Sequence, residues 1–270
     1  PLRVLLRRWN ADVFISLEGP LALGMPASFP QLTVIHDLNF EHHPEWLPPR
    51  WARYYRTQFP RFAAEARRVV TVSDASARDL ADSYGLPRKD ISVVPNAADR
   101  FFIPLADLAS ADVRKRHTGG ERYFVFVGSL HPRKNIEGLL NAFGQYVDRG
   151  GLRHLVIVGA AMWDELPMDV PPSVRQRIHG LGRLPHDELP KVMGAAEALV
   201  FVPWFEGFGI PVLEAMACGV PVIASNVTSL PEVCGNLMNQ NIEKDGKENN
   251  HCWCRFSRFI MGCLYEKSRL

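Results

Sequence analysis

The chain has 270 residues, 47% of them hydrophobic and 22% charged, with a formal net charge of +2. That composition fits a globular protein with one large core or two modest ones, and the near-neutral balance argues against nucleic acid as a partner. Uncharged apolar runs fall well short of the roughly 18 residues that a membrane span needs; the longest, 198–205 and 215–224, are broken by Pro203 and by Gly219 with Pro221.

The sequence opens Pro1-Leu-Arg-Val, with neither an initiator Met nor a secretory leader. The expectation is a cytoplasmic protein whose true N-terminus lies upstream. Residues 32–35 read as a buried strand ending in His36-Asp37. Residues 50–68 read as a helix, with Trp51, Tyr54, Tyr55, Phe59, Phe62 and Ala66 spaced by three or four and Pro60 expected to kink or interrupt it. A strand at 69–72 leads to a helix capped by Ser73 or Ser76, the latter forming a capping box with Asp79. Residues 91–94 give another strand, stopped by Pro95-Asn96.

The strand signal lapses between Pro104 and Gly120, so the boundary between two lobes is placed there. Strands then follow at 123–127, 155–158, 198–202 and 221–224, and helices at 136–147, 187–196 and 210–218. Short β-branched runs alternating with helices predict α/β units with parallel sheets. From Gly235 the sequence turns polar and aperiodic and ends in His251-Cys-Trp-Cys-Arg-Phe, which favours a reading-frame error over a lineage-specific end. The expected divisions are 1–104, 105–234 and an atypical, frameshifted or disordered tail at 235–270.

Five cysteines, four of them at or beyond Cys234, suggest reduced thiols, with Cys218 an inert core residue. His251, Cys252, Cys254 and Cys263 lack the paired spacing of a zinc site, so no metal is expected.

Chemistry concentrates at 204–224. A buried strand enters Glu206-Gly207-Phe208-Gly209, and a helix begins at Ile210 with Pro211 in its first turn. Glycines let amides approach a ligand, and the helix start favours an anion such as a diphosphate. Glu206 and Glu214 flank the turn, each able to accept from sugar hydroxyls. The plainer reading makes them a loop charge and a first-turn carboxylate.

The segment Glu206-Gly-Phe-Gly-Ile-Pro-Val-Leu-Glu214 resembles the E-x7-E signature of glycosyltransferase family 4, retaining enzymes with the GT-B fold of two Rossmann-like lobes. Val127-Gly-Ser-Leu-His-Pro-Arg-Lys-Asn135 is similar to that family's phosphate-facing loop, and Gly182-Arg-Leu184, Ile35-His-Asp-Leu38, Val72-Ser73 and Val94-Pro-Asn96 match it too. The resemblance runs from about residue 9 to Glu232. It implies an N-terminal lobe lacking the opening strand and glycine-rich loop, and a normal C-terminal helix that this tail does not resemble.

The same resemblance implies a nucleotide diphosphate sugar as donor and a glycan or lipid-linked acceptor. Glu206 would hold the transferred hexose and Glu214 the ribose. The backbone of Gly128, Gly207, Phe208, Gly209 and Ile210 would meet sugar and phosphates, and Leu184 the base. Lys134 with Arg133 would neutralise the leaving diphosphate, so no metal or other cofactor is required. Ser129 stands where many relatives carry an Arg, leaving open which side chain supplies the second charge. His36 matches a histidine at the donor sugar. The catalytic set is thus Glu206, His36 and Lys134, with no carboxylate nucleophile. The aromatic and basic stretch 50–68 is a candidate for membrane or lipid contact; the other reading is a core helix with a solvated basic side. Rival functions are an inactive nucleotide-sugar-binding fragment and a GT-B sugar-nucleotide epimerase. A dinucleotide oxidoreductase is disfavoured because no G-x-G-x-x-G follows a strand.

Overall fold

A computed structural model describes residues 2–160 and 170–235, together with the backbone of 238–239 and 251–254. The chain divides into two compact units, Pro1–Asn96 with Glu206–Phe208, and Ala97–Phe205 with Gly209–Leu270. Phe102 is buried in the second unit's core and Leu105 packs on it, which is why the stretch after Asn96 belongs there.

In the first unit, β1 (Phe14–Ser16), β2 (Gln31–Val34), β3 (Arg68–Thr71) and β4 (Ile91–Val93) form a parallel sheet in that order. The helix Pro49–Glu65 buries Phe59 and Phe62 in its core and runs through Pro60. The expected interruption does not occur. Proline inside a helix costs about 3 kcal/mol, whereas burying each flanking aromatic returns about 1.5–3 kcal/mol, so the rings hold the helix together. The next helix, Asp74–Tyr84, is capped by Ser73, whose side chain accepts from Ser76 N. Asp79 pairs instead with His42 at 2.8 Å and accepts from Ser83 at 3.0 Å, so the Ser76–Asp79 box is not the cap.

The second unit is built on β5 (Tyr123–Val127), β6 (His154–Val158), β7 (Ile178–Gly182), β8 (Ala198–Phe201), β9 (Val222–Ser225), β10 (Met238–Asn239) and β11 (His251–Cys254). Their order is β10-β11-β9-β8-β5-β6-β7, parallel from β9 to β7, with β10 and β11 joining antiparallel. All five residues of β5 are buried, as a strand covered on both faces requires. Tyr123 donates to Val192 O at 2.7 Å, and burial pushes its phenol upward. β1, β7 and the helix Asp107–Thr118 are elements that the hydrophobic pattern did not indicate. The tail beyond Gly235 lies outside the described residues apart from the β10 and β11 backbone.

Leu80 is fully buried in the first core. Leu80→Ala should cost about 2–5 kcal/mol in urea unfolding; an unchanged midpoint would mean that Asp74–Tyr84 does not pack on the sheet as described.

Candidate functional site

Backbone bonds lace the carboxyl ends of β5, β6 and β7. Gly128 N donates to Val158 O at 3.0 Å, Leu130 N to Ala160 O at 3.0 Å, and Gly159 N to Gly182 O at 2.8 Å. A Cβ on Gly159 would stand 1.8 Å from Gly128 O, so only glycine permits this approach. Gly159 escaped the sequence reading, although Val158-Gly159 after a strand is the signal for such a turn.

Beyond Gly128 the chain makes a short 3-10 turn, Pro132–Lys134. Asn135 follows with φ 56°; its side chain accepts from Gly138 N at 3.2 Å and donates to Val202 O at 3.0 Å. Trp204 N donates to Arg133 O at 2.8 Å, tying the turn to the chain leaving β8. These bonds fix Lys134, which is 5% exposed with its Nζ 4.8 Å from the Phe201 ring centre. Such a cation–π contact is worth about 2 kcal/mol when desolvated. The aliphatic stem passes Gly128, where a Cβ would lie 3.7 Å from Lys134 Cε. Lys134 and Gly128 are thus brought together, and Arg133 is half-buried beside them.

Gly209 (φ 103°) starts the helix Ile210–Ala217. Val212 N donates to Gly209 O at 3.0 Å and Pro211 has no N–H, so Ile210 N–H is the first-turn donor these bonds leave unused. Glu214 lies one turn further on and is partly buried. Its carboxyl is pushed up to about 7, chiefly by loss of solvent and then by the charge of Asp99, while His186 opposes the shift. His186 Nε2 sits 3.4 Å from Asp99 Oδ2, and its ring meets Phe101 edge-on. Leu184 packs partly into the same core. Cys218 is buried, which raises its thiol to about 11, as suits a packing residue.

The first unit holds His36 and the tripeptide Glu206–Phe208. His36 is exposed, and its Nε2 lies 3.0 Å from Leu17 O; a bond to a carbonyl requires the proton on Nε2, leaving Nδ1 as the acceptor in the neutral ring. Glu206 is 9% exposed and Phe208 8%. Among the described residues, no three His, Cys, Asp or Glu side chains are grouped to hold a metal. The side chains of His251, Cys252, Cys254 and Cys263 lie outside those described.

A family model described as glycosyl transferases group 1 matches residues 110–250. The chain belongs to this family. A second model, Glycosyltransferase Family 4, matches residues 1–100. O-antigen chain mannosyltransferase B of Escherichia coli is 34% identical over 76% of this chain and 55% of its own length. O-antigen chain mannosyltransferase RfbU of Salmonella typhimurium is 26% identical over 87% of this chain and 62% of its own length. The crystal structure of Anabaena Alr3699/HepE in complex with UDP and glucose superposes with a TM-score of 0.68 at 20% identity, covering 88% of this chain and 65% of that one. This group 1 chain therefore has the α/β GT-B fold and spans between half and two thirds of the length of these relatives. No described helix is long and apolar enough to cross a membrane.

A carboxyl raised from 4.5 to about 7 makes the folded state bind more protons than the unfolded one between those values. Stability attributable to Glu214 is therefore lost as pH rises from 4.5 to 7. Urea unfolding should find Glu214→Gln close to wild type near pH 4.5 and more stable than wild type above pH 7; parallel profiles would contradict the assignment.

Proposed function

We propose that this group 1 protein is a retaining glycosyltransferase moving a hexose from a nucleotide diphosphate sugar to a glycan or lipid-linked acceptor without a metal. The observation that carries the reading is the buried Lys134 beside Gly128, at the sheet end where parallel α/β folds bind ligands. The same unit offers the Ile210 helix start and Glu214. Lys134, with Arg133 next to it, neutralises the diphosphate as it departs, and Ile210 N–H donates to it. Gly128, Gly207, Phe208 and Gly209 bring main chain close to phosphates and sugar. Leu184 borders the base. Glu214, once ionised, accepts from the ribose hydroxyls.

Glu206 and His36 hold the transferred sugar. The bond from its anomeric carbon to the phosphate oxygen breaks as the acceptor oxygen bonds to the same face, and the acceptor's proton passes to that phosphate oxygen. Charge that builds on the phosphate meets a fixed cation and a helix terminus, which need no reorganisation. A hexose donor is favoured by the mannosyltransferases among the relatives and by the glucose in the Alr3699/HepE complex. We place the reaction in the cytoplasm at the inner face of a membrane. There, exposed Trp51 and Tyr54 beside Arg50 and Arg53 would meet a lipid-linked acceptor.

In a full-length version, Glu206→Ala should abolish hexose transfer from GDP-mannose or UDP-glucose while leaving the unfolding transition in place; unchanged turnover would refute its role. Calorimetry should show GDP or UDP affinity rising about tenfold from pH 6 to pH 8 as Glu214 ionises around pH 7, and flat in Glu214→Gln. A pH-independent wild-type affinity would remove Glu214 from the site.

A further inference from the structure

Glu206–Phe208 is counted with the first unit although both its flanks belong to the second. Two buried hydroxyls at the head of the helix Asp74–Tyr84 tie it to that unit. Ser73 Oγ accepts from Ser76 N at 3.0 Å and donates to Gly207 O at 2.8 Å. Ser76 Oγ lies 3.0 Å from His36 O and 3.3 Å from Gly207 O. The serines are 0% and 6% exposed. The two hydroxyls are also 3.0 Å apart, and each has one proton; with Ser73 donating over its shorter contact to Gly207, Ser76 donates to His36.

Capping requires only an acceptor, which Asp or Asn would provide as well as Ser. The hydroxyl adds a proton, and here that proton reaches the Gly207 carbonyl. No space remains at Gly207 itself: a Cβ would lie 2.8 Å from His36 O and 2.9 Å from Asp37 Oδ2. The main chains of His36 and Gly207 are therefore in direct apposition, each with its carbonyl tied to the same helix start.

We propose that Ser73 and Ser76 are positioning residues that clamp Gly207 against His36 and so set the placement of the Glu206 carboxylate relative to the His36 imidazole. The clamp is a matter of geometry; its consequence for the sugar rests on the function proposed above. Their service is to the sugar rather than to the nucleotide, because Lys134, Ile210 and Glu214 do not belong to the clamp.

Two measurements on the full chain separate the parts. In ligand-free hydrogen exchange, amides 206–209 should exchange at least about tenfold faster in Ser73→Ala, with protection restored in Ser73→Thr, which keeps the hydroxyl, and amides 36–38 should exchange faster in Ser76→Ala. Unchanged exchange would overturn the clamp. By calorimetry, Ser76→Ala should bind GDP and UDP as wild type does but lose the extra affinity that wild type shows for GDP-mannose or UDP-glucose, while Ser73→Thr retains it. Ser76→Ala is the decisive variant because it spares the helix cap. An unaltered ratio of sugar-nucleotide to nucleotide affinity, with exchange accelerated, would overturn the positioning role. A wild type that binds none of the four probes would overturn the functional reading and the positioning role together, with the exchange result then judging the clamp by itself.

Discussion

Everything at the second unit's site depends on how closely three strand ends approach one another. Gly128 and Gly159 meet main chain to main chain, and Gly159 in turn donates to Gly182. A side chain at Gly159 would run into Gly128 O and push the ends of β5 and β6 apart. With the approach intact, the turn after β5 keeps Lys134 lying on Phe201.

Burying a lysine is costly unless its charge has use or company. Cation–π contact with Phe201 offsets part of that cost, and a diphosphate would offset more. Glu214 presents the reciprocal case. An unliganded carboxyl held near neutrality by burial and by Asp99 is poorly placed as a permanent anion, yet hydroxyl donors from a ribose would stabilise its ionised form. A nucleotide would thus meet a buried cation at Lys134 and a carboxyl at Glu214 whose ionised form it can stabilise. That complementarity links the packing of the second unit to the chemistry proposed for this glycosyl transferases group 1 chain.

Legibility in the sequence followed burial. β5 could be read to the residue, Tyr123 to Val127, because both its faces are covered and every position is apolar or aromatic. β7 was not, because Ile178-His-Gly-Leu-Gly carries two glycines and sits at a sheet edge. β1 has only three residues, and the helix Asp107–Thr118 leaves Leu108 85% exposed, so neither shows a clear apolar stripe. Ser73 and Ser76 were equal candidates as caps, since one-dimensional spacing does not reveal which serine has non-helical backbone. Among the site residues, Glu206, Glu214, Lys134 and His36 stood out through their motifs. The clamp of Ser73 and Ser76 on Gly207 was invisible, because it joins positions more than a hundred residues apart through a carbonyl that any residue would have. Asp99 and His186 were missed because no motif carries them and their charges reach Glu214 only through tertiary approach.

The central claim is that a nucleoside diphosphate binds at the laced sheet end of the second unit. Titrating GDP and UDP into isotopically labelled protein and following amide chemical shifts tests it directly. The account predicts the largest changes at Gly128, Lys134, Leu184, Ile210 and Glu214, reduced when Lys134 is replaced by Met. Saturable shifts gathered elsewhere, with these five amides unmoved, would contradict it.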